Sequence, residues 1–215
     1  MATNYYQLKI QVKSIKPSVY RTIIVPDNIS FLKLHEYIQE LFGLDNYHLW
    51  SFSYKDSLND ILISLDDDDM TLFFNDKVMK ANETKLNQVL QREKQKVEYW
   101  YDFGDDWRMA VEVQKILQKD TLPKNVDKIP HILKMQGPML LEDVGGPYIF
   151  MDIMYLYNIL KNKETIPKAE LQEFREYVAY RVIGEESEEK HWKQLFVEVM
   201  DDLYDIDAKN IKLLP

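Results

Sequence analysis

Cysteine is absent from the 215 residues, which excludes a disulfide scaffold, thiolate metal ligands and a cysteine nucleophile. Long apolar runs are absent too: stretches such as Ile61–Ile63 and Phe73–Phe74 fall far short of the ~20 residues that span a bilayer. The opening segment MATNYYQLKI lacks the basic and apolar regions of a signal peptide, so the expectation is a soluble, cytoplasmic protein with no membrane partner. Positive charge is scarce as well. Lys and Arg number 27 against 36 Asp and Glu, and the net charge of -9 argues against broad, sequence-independent binding to nucleic acid or anionic lipid. Glycine (6) and proline (8) are sparse, and half of them crowd between Lys119 and Pro147, which predicts an extended loop there. Loops of that length tend to carry function.

What is present suffices for a core. The chain is 46% apolar, and a chain of this length buries roughly 70% of its unfolded surface. That is one large domain, or one domain with a helical appendage. Tyr6, Leu8, Ile10 and Val12 alternate with polar residues, the period of a half-buried strand. Lys16-Pro17-Ser18 supplies a turn, and Val19–Val25 forms the second arm of a hairpin closed by Pro26-Asp27-Asn28. Ser30 then caps a helix carrying Phe31, Leu34, Ile38, Leu41 and Phe42 on one face, with Gly43 at its left-handed end. Strands are expected over Tyr47–Tyr54, Ile61–Leu65 and Met70–Phe74, and Thr84 caps a short helix to Leu90. A strong hairpin signal comes next, Val97–Phe103 and Trp107–Val113 alternating about Gly104-Asp105. Helices are predicted near Tyr148–Lys161, over Pro167–Ile183, and beyond a cap at Ser187. The fold class is therefore α+β, a β-grasp-like roll over residues 1–162 with a C-terminal helical extension, residues 163–215, packed on it.

Chemistry concentrates in two loops. Asp102, Asp105 and Asp106 lie within five residues of Tyr101-Asp102-Phe103-Gly104-Asp105-Asp106-Trp107, where they could hold a divalent cation or act as acid and base. Asp and Gly are equally what a tight turn selects, with Phe103 and Trp107 plugging the core. Glu142-Asp143-Val144-Gly145-Gly146-Pro147 ends just ahead of a helix, where bare amides could meet an anion, or where the glycines permit an unusual turn. No Lys-Ser/Thr follows, so a phosphate loop is not indicated. His35, His48, His131 and His191 form no helical pair four apart. His35 reads as a hydrogen-bonded core side chain; His48 reads as a base or ligand if an Asp of the aspartate-rich turn approaches it. There is no serine elbow, no HExxH, and no EF-hand pattern about Asp66–Asp69. Lys9, Lys13, Lys16, Arg21, Tyr5, Tyr6 and Tyr20 gather in the first hairpin, a basic-aromatic face that could contact nucleic acid, or edge lysines that discourage strand pairing.

Three motifs in order, YQLKIQVKSIKPSVYRTIIVPDNISFLKLHEYIQELFGLDNYHLWSF, YDFGDDW and EDVGGP, closely resemble the plasmid pRiA4b ORF-3-like family over about residues 5–160. The resemblance implies an α+β, β-grasp-like fold and an association with mobile elements; some members bear a resolvase-like, transposon-passenger label. It implies no established activity, and no serine-resolvase nucleophile is matched here. Relatives often have a second histidine where this chain has Trp50, and cysteines near Met135–Leu140. No metal ligand set is therefore carried over, and no cofactor is assigned.

The leading expectation is a binding or interaction protein with a protein or small-molecule partner, linked to plasmid or transposon biology, rather than an enzyme. Its candidate site gathers Arg21, His48, Asp102, Asp105, Asp106, Trp107, Glu142 and Asp143. One alternative is a metal-assisted hydrolase or nuclease using these carboxylates with His48. The other is a DNA-binding accessory protein.

Overall fold

The alternation of the first strand decides which face of the sheet is dry. Tyr6, Leu8, Ile10 and Val12 of β1 (Tyr5–Val12) are buried while the residues between them are half-exposed. The same pattern runs through β6 (Lys96–Tyr101) and β7 (Trp107–Leu117). The computed structural model describes residues 4–56, 59–65, 77–124, 126 and 128–214. With β2 (Tyr20–Pro26), β3 (Trp50–Asp56), β4 (Asn59–Ser64), β5 (Lys77–Lys80) and β8 (His131–Gln136), these strands form one eight-stranded sheet in the order β5-β4-β3-β6-β7-β1-β2-β8. Every pairing is antiparallel except β4 with β5.

Helix α1 (Phe31–Phe42) lies across the dry face. Ser30 accepts from the Lys33 amide and Gly43 closes the helix at φ 70°, so both ends follow the sequence signals. Phe31 meets Phe52 edge-on at 5.0 Å, and His35 stacks on Trp50 at 3.9 Å. A single turn, α2 (Leu86–Val89), precedes β6. The C-terminal half adds α3 (Gly146–Lys161), α4 (Lys168–Glu173), a π-helical turn over Phe174–Ala179, α5 (Tyr180–Ile183) and α6 (Trp192–Tyr204). Tyr157 and Lys161 of α3 both bind Asp201 of α6 at 2.6 Å. The fold is α+β.

Several expectations change in detail. The glycine- and proline-rich stretch Lys119–Pro147 is not one loop: it contains a 3-10 turn over Lys119–Thr121 and the whole of β8, paired with β2 from Ile24↔His131 to Tyr20↔Gln136. Pro130 and Gly137-Pro138 bracket that strand, so the breakers mark its ends. The strand expected from Tyr47 starts at Trp50, because Asn46 takes φ 59° and turns the chain away first. The Thr84 hydroxyl donates to the Lys80 carbonyl and caps no helix. Ser187 sits in a 3-10 turn, and α6 begins only after His191. The strand expected over Met70–Phe74 and the run Asp66–Asp69 lie outside the described residues. Among the described residues no helix is long and apolar enough to cross a membrane.

Candidate functional site

Three loops converge at one end of the sheet: the α1–β3 loop with His48, the β6–β7 turn with Asp102, and the β8–α3 loop with Glu142 and Asp143. The β6–β7 turn is built by Asp102, which takes φ 50° and whose Oδ1 accepts from the amides of Gly104 and Asp105 at 3.0 and 3.2 Å. This is the self-bonding turn chemistry of aspartate. Its own amide donates to the Leu49 carbonyl at 3.0 Å, which ties the turn to the His48 loop. Asp105 stitches the turn to the third loop, its Oδ2 accepting from the Gly145 amide at 3.0 Å. The Asp105 carbonyl presses so closely on Gly146 that a Cβ there would sit 2.1 Å from its oxygen, and Gly146 has φ 80°. The double glycine therefore serves a close backbone approach.

At the centre is the imidazole of His48. Its Nε2 lies 3.2 Å from Glu142 Oε2, 3.3 Å from Asp143 Oδ1 and 3.5 Å from Asp102 Oδ2. None of these approaches has hydrogen-bond geometry: His48 Nε2 and Glu142 Oε2 are buried without a hydrogen-bond partner. The second oxygen of each carboxylate, by contrast, is held. Glu142 Oε1 accepts from the Tyr101 hydroxyl at 2.8 Å and the Asp45 amide at 2.6 Å. Asp143 Oδ2 accepts from the Tyr47 hydroxyl at 2.6 Å, and Asp102 Oδ1 is fixed by its own turn. Burial and the bond to Glu142 push the Tyr101 phenol above its usual range, and the bond to Asp143 does the same for Tyr47. Both phenols thus stay protonated as donors.

Each carboxylate is anchored through one oxygen and presents the other to a common point, which is how outer groups orient metal ligands. The donor atoms of His48, Asp102 and Asp143 all lie within 4.8 Å of one another. Ligands at ~2.1 Å from an ion are separated by about 3.0 Å along an octahedral edge and about 3.4 Å along a tetrahedral one. The separations from Nε2 to Glu142 and Asp143 fall in that range, and the 3.5 Å to Asp102 lies just beyond it. Among the described residues no lysine or arginine forms an ion pair with these three carboxylates. The imidazole with Asp102 and Asp143 is a donor set for a divalent cation such as Mn2+ or Zn2+, and Glu142 Oε2 flanks Nε2 at 3.2 Å.

The side chains of Glu142 and Asp102 are 7% and 10% exposed, whereas His48 is 23% and Asp143 is 66% exposed, so the cluster opens to solvent on the His48–Asp143 side.

The other candidate residues stand elsewhere. Asp106, at φ 58°, pairs with Arg108 at 2.8 Å on the surface. Trp107 is fully buried, 5.7 Å edge-on to Phe150 of α3. Arg21 is fully buried: Nε donates to Leu41 O at 2.9 Å, Nη1 to Gln136 O at 2.8 Å and Nη2 to Pro138 O at 2.8 Å. Burial pushes its guanidinium down to about 10, and it anchors the start of the loop that carries Glu142. His35 is buried between Tyr99 (2.7 Å) and Asn46 (2.6 Å), and the Asn46 amide donates to Gln39, so α1 holds the His48 loop in place. Sequence reasoning missed Tyr47 and Tyr101. Tyr101 carried only the alternation of a core strand, and its proximity to Glu142 depends on a long-range approach.

A mostly antiparallel sheet bearing helices on its dry face, with a histidine–carboxylate cluster where three loops meet, defines an α+β protein with a built polar site. The chain belongs to the plasmid pRiA4b ORF-3-like protein family, whose pattern it matches over residues 4–210. That span takes in α4 to α6, beyond the reach of the three motifs. It is 29% identical over 153 residues to an uncharacterised protein, y4hQ, of Sinorhizobium fredii, covering 71% of this chain and 72% of the relative. It is also similar to the crystal structure of a protein of unknown function, MM3350 from Methanosarcina mazei, with TM-score 0.61 and 26% identity, covering 74% of this chain and 83% of that one. Neither description names an activity.

Proposed function

We propose that this protein binds one divalent cation through His48, Asp102, Glu142 and Asp143 and uses it in a metal-assisted hydrolase. A single observation carries the reading: two buried atoms, His48 Nε2 and Glu142 Oε2, lie 3.2 Å apart without bonding, while the opposite oxygen of each carboxylate is fixed. A bound cation lowers the pKa of a water on it and supplies a nucleophile near neutral pH. The Asp143 side chain is exposed to solvent, which favours a site open to water over a purely structural ion. The broader expectation of a binding protein is kept in this narrower form, with the cation as the first thing bound.

DNA binding by the first hairpin has less support. Arg21 and Tyr6 face the core, and Lys13 pairs with Glu98, which leaves the exposed Lys16 together with Lys9, the latter sharing the Tyr20 ring with Lys134 of β8. The β-grasp-like description rests on the hairpin β1–β2 followed by α1 across the sheet. A mobile-element setting rests on the family name.

Chelator-stripped protein titrated with Mn2+ and Zn2+ by calorimetry tests the reading. One ion per chain is expected, weakened at least tenfold by Glu142→Gln and by His48→Ala. No binding tighter than ~1 mM by either metal, or by Ca2+ or Mg2+, would sink it.

A further inference from the structure

Arg181 belongs to α5, a helix the three sequence motifs leave out, yet its guanidinium reaches the site loop. Nη1 donates to the Val144 carbonyl at 3.0 Å, one residue beyond Asp143, and its cationic carbon lies 4.9 Å over the Tyr177 ring. The group lies against Gly145, where an added Cβ would come 3.3 Å from Nη1. Gly145 thus leaves room for an arginine that a larger residue would displace. The π-helical turn at Phe174–Ala179 immediately precedes this helix. Such turns add a residue to the helical circuit and rotate the helix beyond them, and they recur at functional sites. Among the described residues no carboxylate lies within ion-pair distance of Arg181, Val144 O is its one hydrogen-bond acceptor, and the residue is solvent-exposed.

The charges of the site decide the role of such an arginine. Three carboxylates and a divalent cation sum to one negative charge, which repels an anionic substrate. Arg181, held on the loop one residue beyond Asp143, would offset that charge and offers further donors in a planar fork, the geometry that matches phosphate oxygens. A neutral substrate would need no such group.

We infer that Arg181 is the anion anchor of the cation site and that the substrate class is a phosphate ester. This rests on the cation reading above. Water adds to phosphorus, the P–O bond to the leaving alcohol breaks, and the proton lost by the water ends on the alkoxide, giving phosphate and alcohol with no other co-reactant. Arg181 binds the non-bridging oxygens and takes no part in proton transfer.

The test uses the full chain, Mn2+ and inorganic phosphate as the product-like probe. Phosphate binding is followed by Mn2+-induced broadening of its phosphorus resonance, and Mn2+ binding by calorimetry. Arg181→Gln is expected to bind Mn2+ within threefold of the wild type and phosphate at least tenfold more weakly; Arg181→Lys, which keeps the charge, recovers part of that loss. Equal phosphate affinity in wild type and Arg181→Gln, or no phosphate binding by the Mn2+-loaded wild type, overturns the anchor while leaving the cation site standing. Parallel loss of Mn2+ and phosphate affinity in Arg181→Gln makes the residue a structural clamp on Val144 and also overturns it. If the wild type binds none of Mn2+, Zn2+, Ca2+ and Mg2+, both readings fall together.

Discussion

Arg21 and His48 each stand at the centre of a polar knot, and the two knots are finished differently. Around Arg21 the donors meet carbonyls from α1, β2 and the exit of β8, at 2.8 to 3.1 Å. Around His48 three carboxylate oxygens approach at similar distances and none bonds. A buried polar group is stable when its partners are present. The first knot is complete as folded protein, whereas the second leaves His48 Nε2 and Glu142 Oε2 unpaired, and the proposed cation would complete it. Satisfaction, more than burial or residue type, separates scaffold from site here. Both were candidate site residues as polar groups of the family-like motifs at strand or loop ends.

The contrast breaks if removing Arg21 proves harmless. Arg21→Met leaves the buried carbonyls of Leu41 and Pro138, and the part-buried one of Gln136, without this donor, and each fully buried group costs about 1–3 kcal/mol. Relief of the cost of burying the guanidinium offsets part of this, so a net loss of roughly 4 kcal/mol is expected in urea unfolding. Gly146→Ala is next. Its Cβ meets the Asp105 carbonyl and its φ is 80°, so a loss of roughly 3 kcal/mol is expected together with weaker Mn2+ binding, because the two site loops must part. A variant as stable as wild type would show that the loops do not touch as described.

Two histidines sharpen the comparison through pH. Burial holds His35 down to about 4, against 6.5 for an ordinary histidine, and both its ring nitrogens are bonded, unlike Nε2 of His48. The native state therefore binds the His35 proton less readily than the unfolded chain. The stability it confers is complete above about pH 6.5, is lost as pH falls toward 4, and levels off below. The loss amounts to about 3 kcal/mol. Urea midpoints at pH 7 and 4.5 measure it, and His35→Asn should be less stable at pH 7 and flatter between the two. An equal slope in the variant would assign the effect to other groups.

Sequence distance decides how much of this was legible. The hairpin β1–β2, helix α1 with Ser30 and Gly43 at its ends, and the β6–β7 turn are written in neighbouring residues, and the sequence reads them well. Strand β8 was lost because its partner β2 lies more than a hundred residues away, with no local alternation strong enough to override the breakers around it. Glu142, Asp143 and Asp102 stood out as polar groups at loop ends. Arg21 and Trp107 stood out for the same reason, yet local sequence carries no mark that an arginine will be surrounded by carbonyls. Tyr101 was hidden the opposite way, its hydroxyl reaching Glu142 from a strand whose alternation reads as core.

Substitutions inside the open knot should scarcely change stability while weakening cation binding at least tenfold. Glu142→Gln removes one of three like charges, so unfolding free energy is expected to hold or rise by less than ~1 kcal/mol. Mn2+ at a hundredfold excess over its dissociation constant stabilises the wild type by about 2.7 kcal/mol, and this increment falls to about 1.4 kcal/mol or less in the variant. A loss of several kcal/mol in the metal-free variant would instead make Glu142 a scaffold residue like Arg21.

The smallest expected effect is the most discriminating. Tyr47 is exposed, and its hydroxyl donates to Asp143 Oδ2 at 2.6 Å. Tyr47→Phe removes that donor and nothing that packs, so stability should stay within ~0.5 kcal/mol. With its outer oxygen released, Asp143 is free to rotate, and Mn2+ affinity is expected to fall roughly tenfold, the effect typical of an outer group on a ligand. Calorimetry on paired samples resolves that difference. An unchanged affinity would mean that Asp143 is held without Tyr47, and the distinction between anchored and presented oxygens would then rest on Glu142 and Asp102.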